Sequence, residues 1–162
     1  MRYSVLLLLS IVYTPALAGD LERARTHINS MDYANAITEI RTHLSQHPQD
    51  MEALHLLAKT YAWDNQYEQA EQTYDRLLLK EPDNTQFQFG KAQALIWQNK
   101  QAQAIPVLEG IRQHVPEQSD VWRLLILSLQ QSANQQDKKR AVALAKEARQ
   151  RFPNEFWGIA SE

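Results

Sequence analysis

The sequence repeats itself at an interval of about 34 residues, and this repetition restricts the folds that are open to the chain. The segment TYAWDNQYEQA, residues 60–70, aligns with ALIWQNKQAQA, residues 94–104, and places Trp63 over Trp97. A repeat of this length is one supersecondary unit that cannot bury its apolar face alone, so copies of it stack on their neighbours. The period therefore predicts a stack of units that share one continuous core.

The pattern inside each unit is helical. Apolar residues recur three and four positions apart over segments of about a dozen residues, and no segment shows the strict alternation of a half-buried strand. Four prolines follow helical segments and separate one helix from the next. Pro48, Pro82 and Pro116 recur at the repeat interval, and Pro153 follows after a slightly longer one. The units are therefore predicted to be pairs of helices closed by a proline.

Residues 51–84 carry the most complete copy of the unit. Its characteristic apolar, small and proline positions are Leu54, Leu57, Ala58, Tyr61, Ala70, Tyr74, Leu77 and Pro82. All of them agree with the pattern of the tetratricopeptide repeat, which this chain resembles. The resemblance implies an all-α solenoid of antiparallel helix pairs wound into a right-handed superhelix. It divides the chain into about four repeats, at residues 19–50, 51–84, 85–118 and 119–155.

A small residue stands early in the second helix of each unit. These residues are Ala36, Ala70, Ala104 and Ala141. A small side chain lets two helix backbones approach closely, while larger residues fill the seam between neighbouring pairs. We therefore expect these alanines to be buried where helices cross.

Two units depart from the pattern. Gln88 and Lys91 stand where large apolar residues are usual. Either the first helix of that unit packs less deeply, or its packed face slides toward Phe87 and Phe89. The last unit needs a three-residue insertion within residues 132–138 before its alanines align.

The first eighteen residues have the pattern of a secretory signal peptide. Arg2 gives a basic start, residues 5–12 are an apolar run, and small residues precede a cleavage site after Ala18. The apolar run is about half of the ~20 residues that cross a bilayer, so a cleaved signal is favoured over a retained anchor. We therefore predict a mature chain of residues 19–162 that is periplasmic or secreted.

The composition excludes several kinds of site. Cysteine is absent, which removes disulfides, thiolate metal sites and a cysteine nucleophile. The formal net charge is -2 and the basic residues are scattered, so nothing indicates a nucleic acid or an anionic membrane as partner. His43 and His47 share a helix face but have no third ligand, so solvated surface histidines are favoured over a metal site. No phosphate-binding loop or G-x-S-x-G motif occurs. The sequence predicts a non-enzymatic protein without catalytic residues, cofactor or metal.

The resemblance implies a binding groove on the concave side, lined by the first helix of each unit. Helical geometry independently places these positions in a stripe beside the core stripe. The residues predicted to bind a partner are His55, Lys59, Trp63, Phe89, Gln93, Trp97 and Arg123. Tryptophan and arginine are among the residue types that dominate interface hot spots. The alternative is that Trp63 and Trp97 fill the corner across the turn, beside Tyr67 and Gln101.

Two kinds of partner are consistent with such a groove. The segment YAWDNQYEQAEQTYDRLLLKEPDN resembles periplasmic tetratricopeptide segments of bacterial exopolysaccharide-export and outer-membrane proteins. This resemblance implies an adaptor that binds a protein partner in envelope assembly or exopolysaccharide export. The alternative is a glycan-binding module in which Trp63, Phe89 and Trp97 stack on sugar rings. Phe156 and Trp157, near the end, are predicted either to cap the stack or to dock another molecule.

Overall fold

The computed structural model describes residues 16–155, which form α-helices joined by short loops and contain no strand. Consecutive helices pair as antiparallel hairpins, α1 with α2, α3 with α4, α5 with α6 and α7 with α8. The bounds are α1 Ala16–Asn29, α2 Tyr33–Gln46, α3 Met51–Trp63, α4 Tyr67–Leu78, α5 Thr85–Trp97, α6 Gln101–His114, α7 Ser119–Gln131 and α8 Gln135–Arg151. This confirms the predicted all-α solenoid of helix pairs. Most of the predicted signal peptide, and also Phe156 and Trp157, lie outside the described residues.

The first helices of the last three hairpins begin at the interval of the sequence repeat, at Met51, Thr85 and Ser119. Two of these starts have a side-chain cap. Asp50 accepts a hydrogen bond from the backbone N–H of Ala53 at 3.1 Å, and Asn84 does the same for Gln86 and Phe87. Such caps satisfy amides that have no partner inside the helix, and each is worth about 1 kcal/mol.

The predicted alanines lie where the helices cross. Ala36, Ala70, Ala104 and Ala141 are all completely buried. Large side chains surround them, and the most extensive apolar cluster joins the last two hairpins through Leu108, Ile111, Trp122, Leu125 and Leu129. Each hairpin thus buries its apolar face against the next one, as the period predicts.

The packed face of α5 is shifted relative to that of α3. Phe87 is buried, whereas Gln88, Phe89 and Lys91 are all partly exposed. Helix α5 nevertheless begins one full repeat after α3, so the helix itself is not displaced along the sequence. The structure therefore supports a packed face that shifts to Phe87, but Phe89 does not reach a fully buried place in it.

The loops inside the first three hairpins share one backbone conformation. Met31, Asn65 and Asn99 each have φ of 60°, in the left-handed region. Asparagine adopts this region readily because its short side-chain amide forms hydrogen bonds to the nearby backbone, but methionine meets a steric penalty there.

The loop of the fourth hairpin has the same length as the other three, and the predicted insertion lengthens α8 instead. Ala141 therefore lies about one turn further from the start of its helix than Ala104 does in α6.

The first helices lie on the inner side of the stack. Helix α3 contacts α5 and α5 contacts α7, whereas no pair of second helices within residues 16–155 approaches as closely. The array is therefore narrower along the first helices and splayed along the second helices, which is the geometry of a curved solenoid. Within the same residues, no helix has the length and apolar character needed to cross a bilayer.

Candidate functional site

Trp63 and Trp97 occupy equivalent places at the ends of α3 and α5. The ring of Trp63 contacts that of Tyr33 at a centroid distance of 6.2 Å, and Trp97 contacts Tyr67 at 5.3 Å, with nearly equal tilts of 34° and 35°. Each tyrosine is the first residue of the second helix in the preceding hairpin. The alternative in which each tryptophan fills the corner across its own turn, beside Tyr67 or Gln101, is not favoured by these ring contacts. Instead, both tryptophans bridge successive hairpins.

The same bridge recurs once more with other residues. The side-chain amide of Gln101, at the start of α6, donates a hydrogen bond of 3.1 Å to the amide oxygen of Gln131, at the end of α7. We call these contacts the rim ladder, defined as Tyr33 with Trp63, Tyr67 with Trp97, and Gln101 with Gln131. Trp63 is 41% exposed and Trp97 is 44% exposed, so a large part of each indole is open to a ligand.

Polar contacts hold the second step of the ladder. The hydroxyl of Tyr67 donates a hydrogen bond of 2.5 Å to the side-chain oxygen of Asn65. Behind it, Glu71 accepts hydrogen bonds from Lys100 at 3.0 Å and from Gln98 at 2.8 Å. Burial acts to raise the pKa of Glu71, but these two donors outweigh it and the pKa is lowered. Glu71 therefore stays ionised and ties α4 to the loop after α5.

Lys59 and His55 lie along α3 behind Trp63. The ammonium of Lys59 stands 5.2 Å from the centre of the Trp63 ring, within the range of a cation–π contact. The imidazole of His55 is half-buried, 5.1 Å from the ring of Phe87 and 6.1 Å from that of Tyr74. Burial, and then the charge of Lys59, lower the pKa of His55. The exposed part of this group is thus Lys59 with Trp63, while His55 serves mainly in packing.

The other predicted site residues differ in their surroundings. Phe89 is partly buried against the core of the last two hairpins. Gln93 is partly exposed, and its side chain makes no hydrogen bond within residues 16–155. Arg123, near the start of α7, is ion-paired with Asp120 at 3.0 Å and Glu155 at 3.1 Å. Trp97 repeats the setting of Trp63 one hairpin later.

The sequence prediction missed the two tyrosines of the rim ladder. Tyr33 and Tyr67 are themselves one repeat apart, as Trp63 and Trp97 are. This shared interval was the available signal, because two positions that repeat together are candidates for a contact that repeats as well.

The prediction for His43 is wrong. His43 is only 4% exposed, and its Nε2 lies 2.8 Å from a carboxylate oxygen of Asp50, the cap of α3. Its ring also contacts that of His47 at 5.1 Å. His43 is therefore an internal link between α2 and the next hairpin rather than a solvated histidine. Within residues 16–155, no group of three His, Asp or Glu side chains is placed to bind a metal ion.

Comparison with known proteins identifies the repeat. Residues 16–88 match the family model described as tetratricopeptide repeat. A MamA fragment from Desulfovibrio magneticus RS-1 superposes with a TM-score of 0.77 at 17% identity, covering 88% of this chain and 78% of that chain. MamA AMB-1 gives 0.75 at 16% identity, with 86% and 80% covered.

A different kind of protein contains the same fold. A mutant of the Thermobaculum terrenum O-GlcNAc transferase gives a TM-score of 0.70 at 20% identity, covering 84% of this chain but 26% of that chain. No curated protein sequence matches this one. The fold is thus shared by proteins with different roles, and it does not by itself select one. The match over residues 16–88 shows tetratricopeptide repeats in that part of the chain, and the helices that follow have the same fold.

Proposed function

We propose that the protein is a non-enzymatic scaffold in the bacterial cell envelope, which holds a protein partner against the inner side of the stack. One observation supports this most directly: the rim ladder exposes two indole rings in equivalent settings. Lys59 adds a positive charge beside the first of them. Tryptophan is among the residue types that supply most of the binding energy in protein interfaces.

The ladder also restricts its own tryptophans before any partner arrives. Trp63 is held between Tyr33 and Lys59, and Trp97 rests against Tyr67. A side chain already fixed in one position loses little conformational freedom on binding, which favours affinity. The proposal therefore places the main contact at Trp63 and Trp97, with Lys59 as the charged neighbour.

A location in the envelope is supported by the signal-like pattern of residues 1–18 and by the resemblance to periplasmic repeat segments of export proteins. The test is fractionation of cells that produce the full chain, followed by N-terminal sequencing of the mature protein. We expect a periplasmic protein that begins at Gly19. Recovery of the intact chain with Met1 in the cytoplasm would contradict this location.

The binding surface is tested by affinity capture from envelope extracts of the native host. The bait is the mature chain, compared with a triple variant carrying Lys59→Ala, Trp63→Ala and Trp97→Ala. A matched control replaces two exposed apolar residues elsewhere, Leu79→Ala and Val142→Ala. We expect the triple variant to lose a protein partner that the control keeps, with the helical circular dichroism of both unchanged. Equal capture by the triple variant would refute the assignment.

The second candidate is a glycan-binding module, which is favoured by the exposed faces of the two indoles. Aromatic rings of this exposure stack on sugar rings through their apolar faces. Phe89, the third residue predicted to stack on a sugar ring, is partly buried and therefore exposes less of its ring. Titration of the tryptophan fluorescence with envelope polysaccharides tests this function, and an unchanged emission spectrum would eliminate it.

A further inference from the structure

The outer side of the stack contains a cleft between the second helices of the first two hairpins. It has a volume of about 410 Å³ and runs between α2 and α4, with α3 beneath. Leu57 and the partly buried Tyr61, both from α3, contribute to its floor. Arg41 of α2 and Arg76 of α4 belong to its lining. The cleft is therefore apolar below and positively charged where it opens to solvent.

The two arginines differ from the others in the described chain. Each of the others has a partner, such as Glu52 for Arg25, Glu109 for Arg140, or the ring of Trp122 for Arg112. Within residues 16–155, Arg41 and Arg76 have neither an ion pair nor a ring contact, and both are exposed. Guanidinium groups bind carboxylates through two parallel hydrogen bonds, so a pair of them without internal partners is suited to an acidic ligand.

The rest of the lining supports the same chemistry. It contains no aspartate or glutamate that could neutralise the arginines. Gln69 and Gln72, on α4, also face the cleft, and their side-chain amides make no hydrogen bond inside the described chain. Such amides provide both donors and acceptors, which match the peptide groups of a bound segment. A free inorganic anion would leave the apolar floor and these amides unused.

We propose that this outer cleft binds an acidic segment of a partner protein, in which carboxylates pair with Arg41 and Arg76 and an apolar side chain rests on Leu57 and Tyr61. The proposal builds on the function proposed above, because it gives the scaffold a second contact on the side opposite the rim ladder. The ligand class follows from charge complementarity and from the apolar floor.

The test uses a random library of short peptides displayed on phage, selected on the full mature chain. Selection is repeated on a double variant, Arg41→Gln with Arg76→Gln, which removes both charges without breaking any ion pair. We expect the selected peptides to carry two acidic residues around an apolar one. Each lost arginine should weaken their binding roughly tenfold, as expected for a charge-assisted pair.

Two controls separate this proposal from the rim ladder and from other ligands. A Trp63→Ala, Trp97→Ala variant should bind the selected peptides as the natural chain does, even if it loses the inner partner. Arg41→Lys with Arg76→Lys should keep the charge but lose part of the affinity, because a lysine cannot bind a carboxylate in the same forked geometry. Circular dichroism verifies that all variants remain folded.

The proposal is overturned if the selected peptides show no acidic preference, or if the glutamine variant binds them equally well. It is also overturned if inorganic phosphate at about millimolar concentration displaces them completely, since the cleft would then be an anion site that does not recognise a peptide. Loss of peptide binding in the tryptophan variant would move the contact to the inner side and refute the outer location.

Discussion

Gly90 of α5 lies directly against the ring of Tyr74 in α4. A β-carbon at Gly90 would stand far inside van der Waals contact with Cζ of Tyr74. Tyr74 is almost fully buried, and burial raises its pKa to about 12. The absence of a side chain at Gly90 thus allows the tyrosine to cross the interface between the second and third hairpins.

We predict that Gly90→Ala destabilises the protein, although alanine ordinarily favours a helix over glycine. The clash with Tyr74 should outweigh the helical preference and cost about 1–3 kcal/mol. Gly110→Ala is the matched control, because a β-carbon there meets no atom within 4 Å. It should stabilise by about 0.5–1 kcal/mol. Urea unfolding of both variants checks the pair, and a stabilised Gly90→Ala protein would show that Tyr74 moves aside freely.

The left-handed loop residues give a second prediction. Met31 is 76% exposed and has φ of 60°, where the equivalent residues of the next two hairpins are Asn65 and Asn99. Met31→Asn should raise the free energy of unfolding by about 1 kcal/mol, because it removes a steric cost without altering a buried contact. The reverse change, Asn99→Met, should lower it by a similar amount. Thermal unfolding with opposite shifts in the two proteins is the expected result, and shifts of the same sign would contradict it.

The alanine seam predicts strong intolerance of larger residues. Ala70 is completely buried, so Ala70→Leu should overpack the crossing and cost about 1–3 kcal/mol. Ala143, on the exposed face of α8, is the control, and its change to leucine should be nearly neutral. Denaturation midpoints of the two variants measure the difference. An unchanged midpoint for Ala70→Leu would mean that the crossing has spare volume.

The lowered pKa of His55 predicts a loss of stability in mild acid. In the unfolded chain this pKa returns to its ordinary value of 6.5, so below that pH the unfolded state binds more protons than the folded state. The contribution of His55 is therefore fully present above pH 6.5 and is lost as the pH falls through the lowered folded value. Unfolding of His55→Gln at about pH 7.5 and about pH 5 should show a smaller decline than that of the natural protein. Parallel declines would show that other groups cause the acid sensitivity.

Double-mutant cycles test which tyrosine supports each tryptophan. The structure predicts a coupling of about 0.5–1.5 kcal/mol between Tyr67 and Trp97, as for aromatic pairs in general. Tyr67 and Trp63, which are closer in sequence, should show almost none. Alanine variants at the three positions, singly and in the two pairs, provide both cycles. A stronger coupling of Tyr67 to Trp63 would favour the corner arrangement that the sequence left open as an alternative.

The order of helices and their pairing could be predicted from the sequence because the repeat period records the stack directly. The tryptophan contacts could not, because their partners depend on how one hairpin packs on the next. Tyr67 is near Trp63 in sequence, yet the ring of Trp63 contacts that of Tyr33 in the preceding hairpin.

His43 shows a different kind of failure. It lies three residues after Ile40 and seven after Ala36, which are both completely buried, so the helical period already placed it on the packed face. Its place near the end of α2 is typical of a solvated histidine, but the carboxylate of Asp50 that accommodates the buried imidazole caps the following helix. The apolar periodicity of α2 does not reveal that its histidine pairs with the capping residue of the next helix.

The rim ladder changes character along the stack, from two aromatic steps to one made of the glutamine amides at residues 101 and 131. Its two ends are therefore chemically unequal. A molecule that spans several hairpins would meet apolar contact sites at one end and a polar one at the other. It would therefore bind in a single direction along the array.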